Sequence, residues 1–395
     1  MYKKIKYPYT KHQIIKSDID FVSKSLTSDF LTGGEYVKKF QNVLSKYVSA
    51  KFCSVVNSGT SALHLALLAL DIKKGDKIVV PSISFVATAN AVKMCGAQVV
   101  FCDVNSKNGL IDLSHLKSII KKNKKIKCVI PVHLNGQSCD MEKIQKICKE
   151  ENIFIIEDAC HALGGYYKNK KVGCCKYSDI STFSFHPAKI ITTGEGGALT
   201  TNSQNLFDKI NLFKSHYVTK IANNFKNLNN GFTDIGQPFE WYYEQHGLGY
   251  NYRLSDIQSA LGINQLKRID KIVSKKHDLS NVYQQELKKL SEFLMPIKTQ
   301  KFNKNAWHLF PVQLNNNYSL SKKNSLIKFL LNFGIQTQVH YIPIHYQPYY
   351  NTNLRTLRLK GAENYYINTL SLPMYSELKT VDIKYICKKI ENYFL

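Results

Sequence analysis

The stretch Ser181-Thr182-Phe183-Ser184-Phe185-His186-Pro187-Ala188-Lys189, continuing through Ile190-Ile191-Thr192-Thr193-Gly194-Glu195-Gly196-Gly197, decides how this chain is read. A β-prone alternation ends at a proline, and a glycine-rich turn leads into a second short strand at Ala198 to Thr201. Lys189 therefore falls on a loop. An amine held among Phe185, His186 and Ile190 is partly desolvated, so its pKa falls toward neutrality and it can act as a Schiff-base nucleophile. Most lysines are nonetheless solvated surface, and the rest of the chain has to decide between the two readings.

Outward from that loop, the upstream chain alternates strands and helices. Cys53 to Val56 reads as a buried strand ending at Asn57-Ser58-Gly59-Thr60-Ser61, and a largely apolar helix runs on to Leu70. Such a strand-to-helix turn offers unpaired backbone N–H groups and the positive end of a helix dipole, although Ser and Thr also cap ordinary helices. Further strands are expected at Lys77 to Pro81, Val99 to Val104, Cys128 to His133 and Ile153 to Glu157, with helices between them. That alternation predicts an α/β fold with a mostly parallel sheet whose ligands sit at the carboxyl ends of its strands. The Gly59-Thr60 turn, Phe85 and Asp158 all lie at such ends. Asp158 either caps the next helix or faces a ligand. A strand-end carboxylate, an anion-binding helix start, an aromatic slab and a loop lysine are the parts needed to hold pyridoxal phosphate.

Composition bounds the alternatives. With 395 residues, 44% of them hydrophobic and 12% aromatic, the chain is long enough for two domains and too apolar for disorder. A formal net charge of +25 suits polyanionic ligands. The arginines, however, are Arg253, Arg268, Arg355 and Arg358 alone, and nucleic-acid readers lean on arginine forks, so no nucleic-acid partner is expected. The cysteines show no metal-ligand spacing, and Cys53, Cys102 and Cys128 sit in apolar runs, as free thiols do in a reducing compartment. Neither a signal-peptide pattern nor a membrane-spanning run is present, and a cytoplasmic location with no membrane partner is expected.

Several long motifs in one order carry a resemblance. Phe183 to Lys189 with Gly194-Glu195-Gly196-Gly197, Glu157-Asp158-Ala159-Cys160-His161-Ala162-Leu163-Gly164, and Gly249-Tyr250-Asn251-Tyr252-Arg253-Leu254-Ser255-Asp256 resemble the sugar-nucleotide aminotransferases of the DegT/DnrJ/EryC1/StrS family, from about Tyr9 to the C-terminus. The resemblance implies a PLP-dependent transferase of fold type I: a large domain (residues 1–265, including the N-terminal arm) with a mostly parallel mixed sheet, and a smaller α+β domain (266–395). By the same resemblance Lys189 would bond the cofactor and carry the proton, Asp158 would pair with the pyridinium and Phe85 would stack on the ring. The backbone of Gly59 and Thr60, with the Ser184 hydroxyl, would hold the phosphate. His161 stands where many relatives have a glutamine near the cofactor's phenolic oxygen. Asn251 matches a residue that reaches the phosphate from a neighbouring subunit, which implies a homodimer with shared sites; a helix cap is its other reading.

Arg253 would hold an acidic group or lie on the surface. Tyr9, His308, His340 and Tyr341 match stretches that approach the substrate, although His308 also reads as an interior histidine and Tyr341 as strand core. The implied reaction moves an amino group from L-glutamate to C4 of a UDP-linked 4-keto-6-deoxy-N-acetylhexosamine. Relatives that act as dehydratases carry histidine in place of the lysine, and Lys189 argues against that activity. A catalytically inactive, PLP-binding regulatory protein is the alternative of another class. Downstream, one helix from Ser255 to Ile272 is expected to lead into the small domain, and Asn223 to Tyr243 reads as a long ordered loop.

Overall fold

Seven strands place the motifs. In the computed structural model, which describes residues 4–300, 302–315, 318–351 and 357–395, β1 (Phe52–Val56), β2 (Lys77–Pro81), β3 (Gln98–Cys102), β4 (Ile126–Val129), β5 (Phe154–Asp158), β6 (Ile180–Ser184) and β7 (Gly197–Thr201) form one sheet in the order β1-β7-β6-β5-β4-β2-β3. From β6 to β3 every pairing is parallel, whereas β7 runs antiparallel to both β6 and β1. The single reversal follows from the Lys189 loop, which carries the chain from β6 straight back into its neighbour. Gly197 stands at the crossing, opposite Ser184 on one side and Val56 on the other, and a Cβ there would collide with the Ser58 carbonyl. Only glycine lets the three strands close at this point.

Helices pack against the sheet, as strands largely buried and rich in Val, Ile, Phe and Cys require. Helix α3 (Gly59–Ala69), which follows α1 (Lys16–Ser25) and α2 (Glu35–Val48), is buried on almost every side. It starts where Ser58 accepts a hydrogen bond from the Ser61 N–H at 3.1 Å. Helix α4 (Ala87–Met94) follows the Phe85 turn.

The single helix expected from Ser255 to Ile272 is two, Asp256–Leu266 and Ile269–Leu287. At the break the Arg268 guanidinium turns onto the Gln13 carbonyl at 2.7 Å and the buried Asp18 carboxylate at 2.6 Å. Apolar periodicity continues through the break, so the pattern could not mark it; a contact across about 250 positions does. Asp256, at the start of the first helix, is wholly buried. Its carboxylate accepts from the N–H groups of Gly34, Tyr36 and Val37 at 2.8, 2.9 and 3.2 Å, capping α2 from a distant part of the chain.

Toward the C-terminus, β8 (Leu294–Pro296), β9 (Phe310–Leu314) and β10 (Thr369–Leu372) make a second, antiparallel sheet. Helices Ile269–Leu287, Leu320–Asn332 and Thr380–Phe394 enclose a core that includes Tyr283, Phe310, Leu326, Leu330 and Ile386, and Tyr7 from the chain's start is buried in it. The segment 336–340 forms no strand there; its backbone meets β10 in a single bridge, between Gln338 and Ser371. Between Val218–Thr219 and Glu244–Gln245, which pair antiparallel, the loop is mostly irregular. Glu244 closes its base by accepting from the Lys226 and Asn227 N–H groups at 2.7 and 2.8 Å.

Candidate active site

A cavity of about 600 Å³ opens at the carboxyl ends of β1, β2, β5 and β6. Its walls include Tyr9, Gly59, Thr60, Phe85, Asp158, His161, Ser184, Lys189, His308, His340 and Tyr341. Residues separated by up to about 330 positions converge because parallel strands all end on the same side, and the N-terminal arm and the segment beside β10 close over that side.

Asp158 is the last residue of β5 and only 5% exposed. Its Oδ2 accepts from the Thr88 hydroxyl at 2.7 Å, Thr88 in turn lies 2.7 Å from the Ser84 hydroxyl, and Oδ1 accepts from the Cys160 N–H at 3.3 Å. The last bond is the local turn role that a strand-end Asp offers; the other oxygen and the cavity wall belong to something further. Thr88 carries no signal of its own in the sequence, except that it stands three residues after Phe85 in the first turn of α4. The Phe85 ring is 57% exposed within the cavity wall, 6.0 Å from the ring of Tyr341.

Beside Asp158, the first turn of α3 leaves its leading N–H groups without intrahelical acceptors. A Cβ on Gly59 would come within 2.8 Å of the Ser184 Cβ, so the glycine lets the helix start approach β6 closely. Lys189 lies partly buried on the loop after β6, its N–H bonded to the His186 carbonyl at 2.8 Å. Burial lowers the pKa of its ammonium, while the charges of Cys160 and Asp158 oppose the fall. The Thr10 hydroxyl ties the N-terminal arm to this loop at the Ala188 carbonyl, 3.2 Å away.

Opposite stand three imidazoles. His161 and His308 pack with ring centres 4.3 Å apart, and His340 lies 5.6 Å from the ring of Tyr9, its Nδ1 2.9 Å from the Ser371 hydroxyl. Burial, reinforced by Lys189, holds all three neutral: His340 falls to about 3, and His161 and His308 well below the ordinary histidine range. The Nδ1 of His308 is buried and has no hydrogen-bond partner among the described residues. The Tyr341 phenol is 3.2 Å from the His161 Nε2, and burial raises its pKa.

Asn251 and Arg253 are not on the cavity wall of this chain. Both are exposed, on an extended segment where Arg253 bridges Val56 and the Tyr252 carbonyl accepts from the Asn57 N–H at 2.9 Å, beside the start of α3. His186 and Glu195, from the stretch around Lys189, also line the cavity, as do Gln338 and Gln347, polar residues in irregular segments where no periodicity marks them.

A mixed α/β sheet of this order, with a loop lysine and a strand-end carboxylate on one cavity wall, is the arrangement expected of the aminotransferase class that the motifs resemble. The chain belongs to the DegT/DnrJ/EryC1/StrS aminotransferase family, whose pattern matches residues 12–391. It is 39% identical over 379 residues to the UDP-4-amino-4,6-dideoxy-N-acetyl-beta-L-altrosamine transaminase of Campylobacter jejuni, covering 96% of this chain and 95% of that one. Among solved structures it is similar to Helicobacter pylori PseC, an aminotransferase involved in the biosynthesis of pseudoaminic acid, with a TM-score of 0.89 and 32% identity over 98% of this chain and 99% of that one. A putative sugar aminotransferase of Streptococcus pneumoniae in its PLP form matches with a TM-score of 0.87 and 25% identity, over 98% of this chain and 97% of that one.

Proposed function

We propose that this aminotransferase uses pyridoxal phosphate to move an amino group from L-glutamate to C4 of UDP-2-acetamido-2,6-dideoxy-β-L-arabino-hex-4-ulose, giving UDP-4-amino-4,6-dideoxy-N-acetyl-β-L-altrosamine. The observation that carries the proposal is the convergence of Lys189, Asp158, Phe85 and the first turn of α3 on one cavity. Those groups fit the cofactor by their chemistry: N–H donors and the Ser184 hydroxyl for a phosphate, a buried carboxylate for a pyridinium, an aromatic face for the ring and a partly desolvated amine for the aldehyde. The bound cofactor would supply an electron sink, stabilising negative charge on the carbon that loses its proton.

The chain's own residues do the rest. Burial shifts Lys189 toward its neutral form, in which it would take a proton from one carbon and return it to another. Asp158, fixed by Thr88, holds a proton on the pyridine nitrogen. Tyr9, His308, His340 and Tyr341 offer apolar faces with hydrogen-bonding edges, which suit a sugar and a uracil. Lysine excess favours approach of the diphosphate. Asn251 and Arg253, exposed beside the start of α3, support a homodimer in which each copy lends them to the other's site. The free cysteines suit the cytoplasm. Among the described residues no helix is long and apolar enough to cross a membrane.

The test is to supply purified protein with L-glutamate and each of the two C5-epimeric UDP-4-keto-6-deoxy-N-acetylhexosamines, assigning the product by NMR. Amination of the β-L-arabino sugar to the altrosamine product is expected. Preference for the other epimer, the precursor of a bacillosamine-type product, would replace this substrate assignment.

A further inference from the structure

His161 has both ring nitrogens engaged, and the two contacts together fix where its proton lies. Nδ1 receives the backbone N–H of Asn135 at 3.3 Å. That N–H is aimed by a tight turn in which Asn135 has a φ of 64°, its side-chain amide donates to the Tyr365 hydroxyl at 3.0 Å, and its carbonyl accepts from the Leu309 N–H at 3.4 Å. A nitrogen that accepts cannot carry a proton, so the neutral imidazole must be protonated at Nε2. A doubly protonated ring would set two N–H groups against each other, in a place that already disfavours the cation.

Nε2 faces the Tyr341 hydroxyl at 3.2 Å. Since Nε2–H can only donate, the phenol oxygen accepts, and its own hydrogen must point elsewhere. Tyr341 OH makes no other hydrogen bond among the described residues, and the side chain lines the cavity. The hydrogen is left for whatever occupies that cavity. Burial keeps the phenol from ionising, so the donor persists over the pH range in which the enzyme would work.

We propose that the chain Asn135 N–H, His161, Tyr341 turns the tyrosine into a hydrogen-bond donor of fixed direction toward an oxygen of the nucleotide sugar, with His161 acting as a positioning residue rather than only as a neighbour of the cofactor. The proposal rests on the aminotransferase reading for the identity of its acceptor, but the tautomer does not. Histidine at position 161 then has a specific use. A donor of fixed tautomer polarises Tyr341, whereas an apolar residue of similar size would leave the phenol free to rotate, with its hydrogen shared between the wall and the ligand.

Two measurements test it. Long-range ¹H–¹⁵N correlation spectra of the cofactor-free protein, with His161 assigned by the signals lost in His161→Gln, should show the Nε2–H pattern; an Nδ1–H pattern overturns the proposal and requires no reaction to be read. Kinetically, His161→Leu should raise the Michaelis constant for the nucleotide sugar by about tenfold, the usual effect of one directed hydrogen bond. His161→Gln, whose amide can still donate, should largely restore it. In a Tyr341→Phe background His161→Leu should have little further effect, because the two residues work as one donor. Additive losses, or a loss in His161→Gln as large as in His161→Leu, would mean that the imidazole serves packing alone and would sink the proposal. Should the protein aminate neither sugar while His161 shows the expected tautomer, the proposed function has failed, not the hydrogen-bond chain.

Discussion

Lys189 and Asp158 line one cavity, and they depend on their surroundings in different ways. Lys189 needs only burial and a free approach, so Lys189→Ala should leave the fold intact and abolish amination, read as product per hour alongside a circular dichroism spectrum; retained turnover would remove Lys189 from the chemistry. Asp158 works by charge. Asp158→Asn should keep the Thr88 contact in nearly the same shape while lowering kcat by roughly several powers of ten, because a neutral amide cannot hold a proton on the pyridine nitrogen. Thr88→Val removes one hydrogen bond to the carboxylate, a contact that contributes about 1.5–3 kcal/mol, so an intermediate loss of roughly ten- to a hundredfold is expected. If Thr88→Val were as damaging as Asp158→Asn, the hydroxyl would have a role of its own. Lys189, Asp158 and Phe85 were legible in the chain because each follows an apolar strand, and strand ends are where a parallel sheet puts its ligands. Thr88 was not, because its partner lies 70 positions away and its own position is an ordinary first turn.

Elements show the same division between local and distant causes. Strands β1, β2 and β5 could be read to within a residue or two, since a buried strand is a short apolar run bounded by Gly, Pro or a polar turn. The reversal at β7 follows from a Gly-rich connection that holds no helix to carry the chain across the sheet. What periodicity could not give is where a helix stops for tertiary reasons, as at Arg268, or how it is capped from elsewhere, as α2 is by Asp256. The second case is testable. Three backbone N–H groups converge on the Asp256 carboxylate in a fully buried place. Asn at this position keeps one acceptor, loses the charge that favours a helix N-terminus, and points an amide donor at another donor. Asp256→Asn should therefore destabilise the protein by about 2–3 kcal/mol, read as a lower urea midpoint with an unchanged slope. An unaltered midpoint would show that water or local rearrangement satisfies the same groups.

At the scale of the whole molecule, the described wall of a single chain's cavity carries little positive charge for ligands that are all anionic. A phosphorylated cofactor, a diphosphate and a dicarboxylate would all meet there, yet among the described residues Lys189 is the only lysine or arginine on its wall, which also carries the carboxylates of Asp158 and Glu195. The α3 N–H groups and the Ser184 hydroxyl can serve one phosphate, and the exposed segment carrying Asn251 and Arg253, beside the start of α3 but off the wall of its own cavity, offers further donors. A two-fold dimer would let that segment complete the partner's cavity, and such an arrangement makes a prediction that no single-chain site can match. Lys189→Ala and Asn251→Ala should each be strongly impaired alone. Mixed after dissociation and reassociation, half of the dimers formed at random would contain one copy of each. In every such dimer one site would carry both lesions and the other neither, so about a quarter of the sites should work, and activity should return to about a quarter of that of the unmodified protein. If Asn251 instead served the site of its own chain, each site in the mixed dimer would keep one lesion and no activity would be regained. Activity after mixing, compared with that of each variant treated in the same way by itself, decides between the two arrangements.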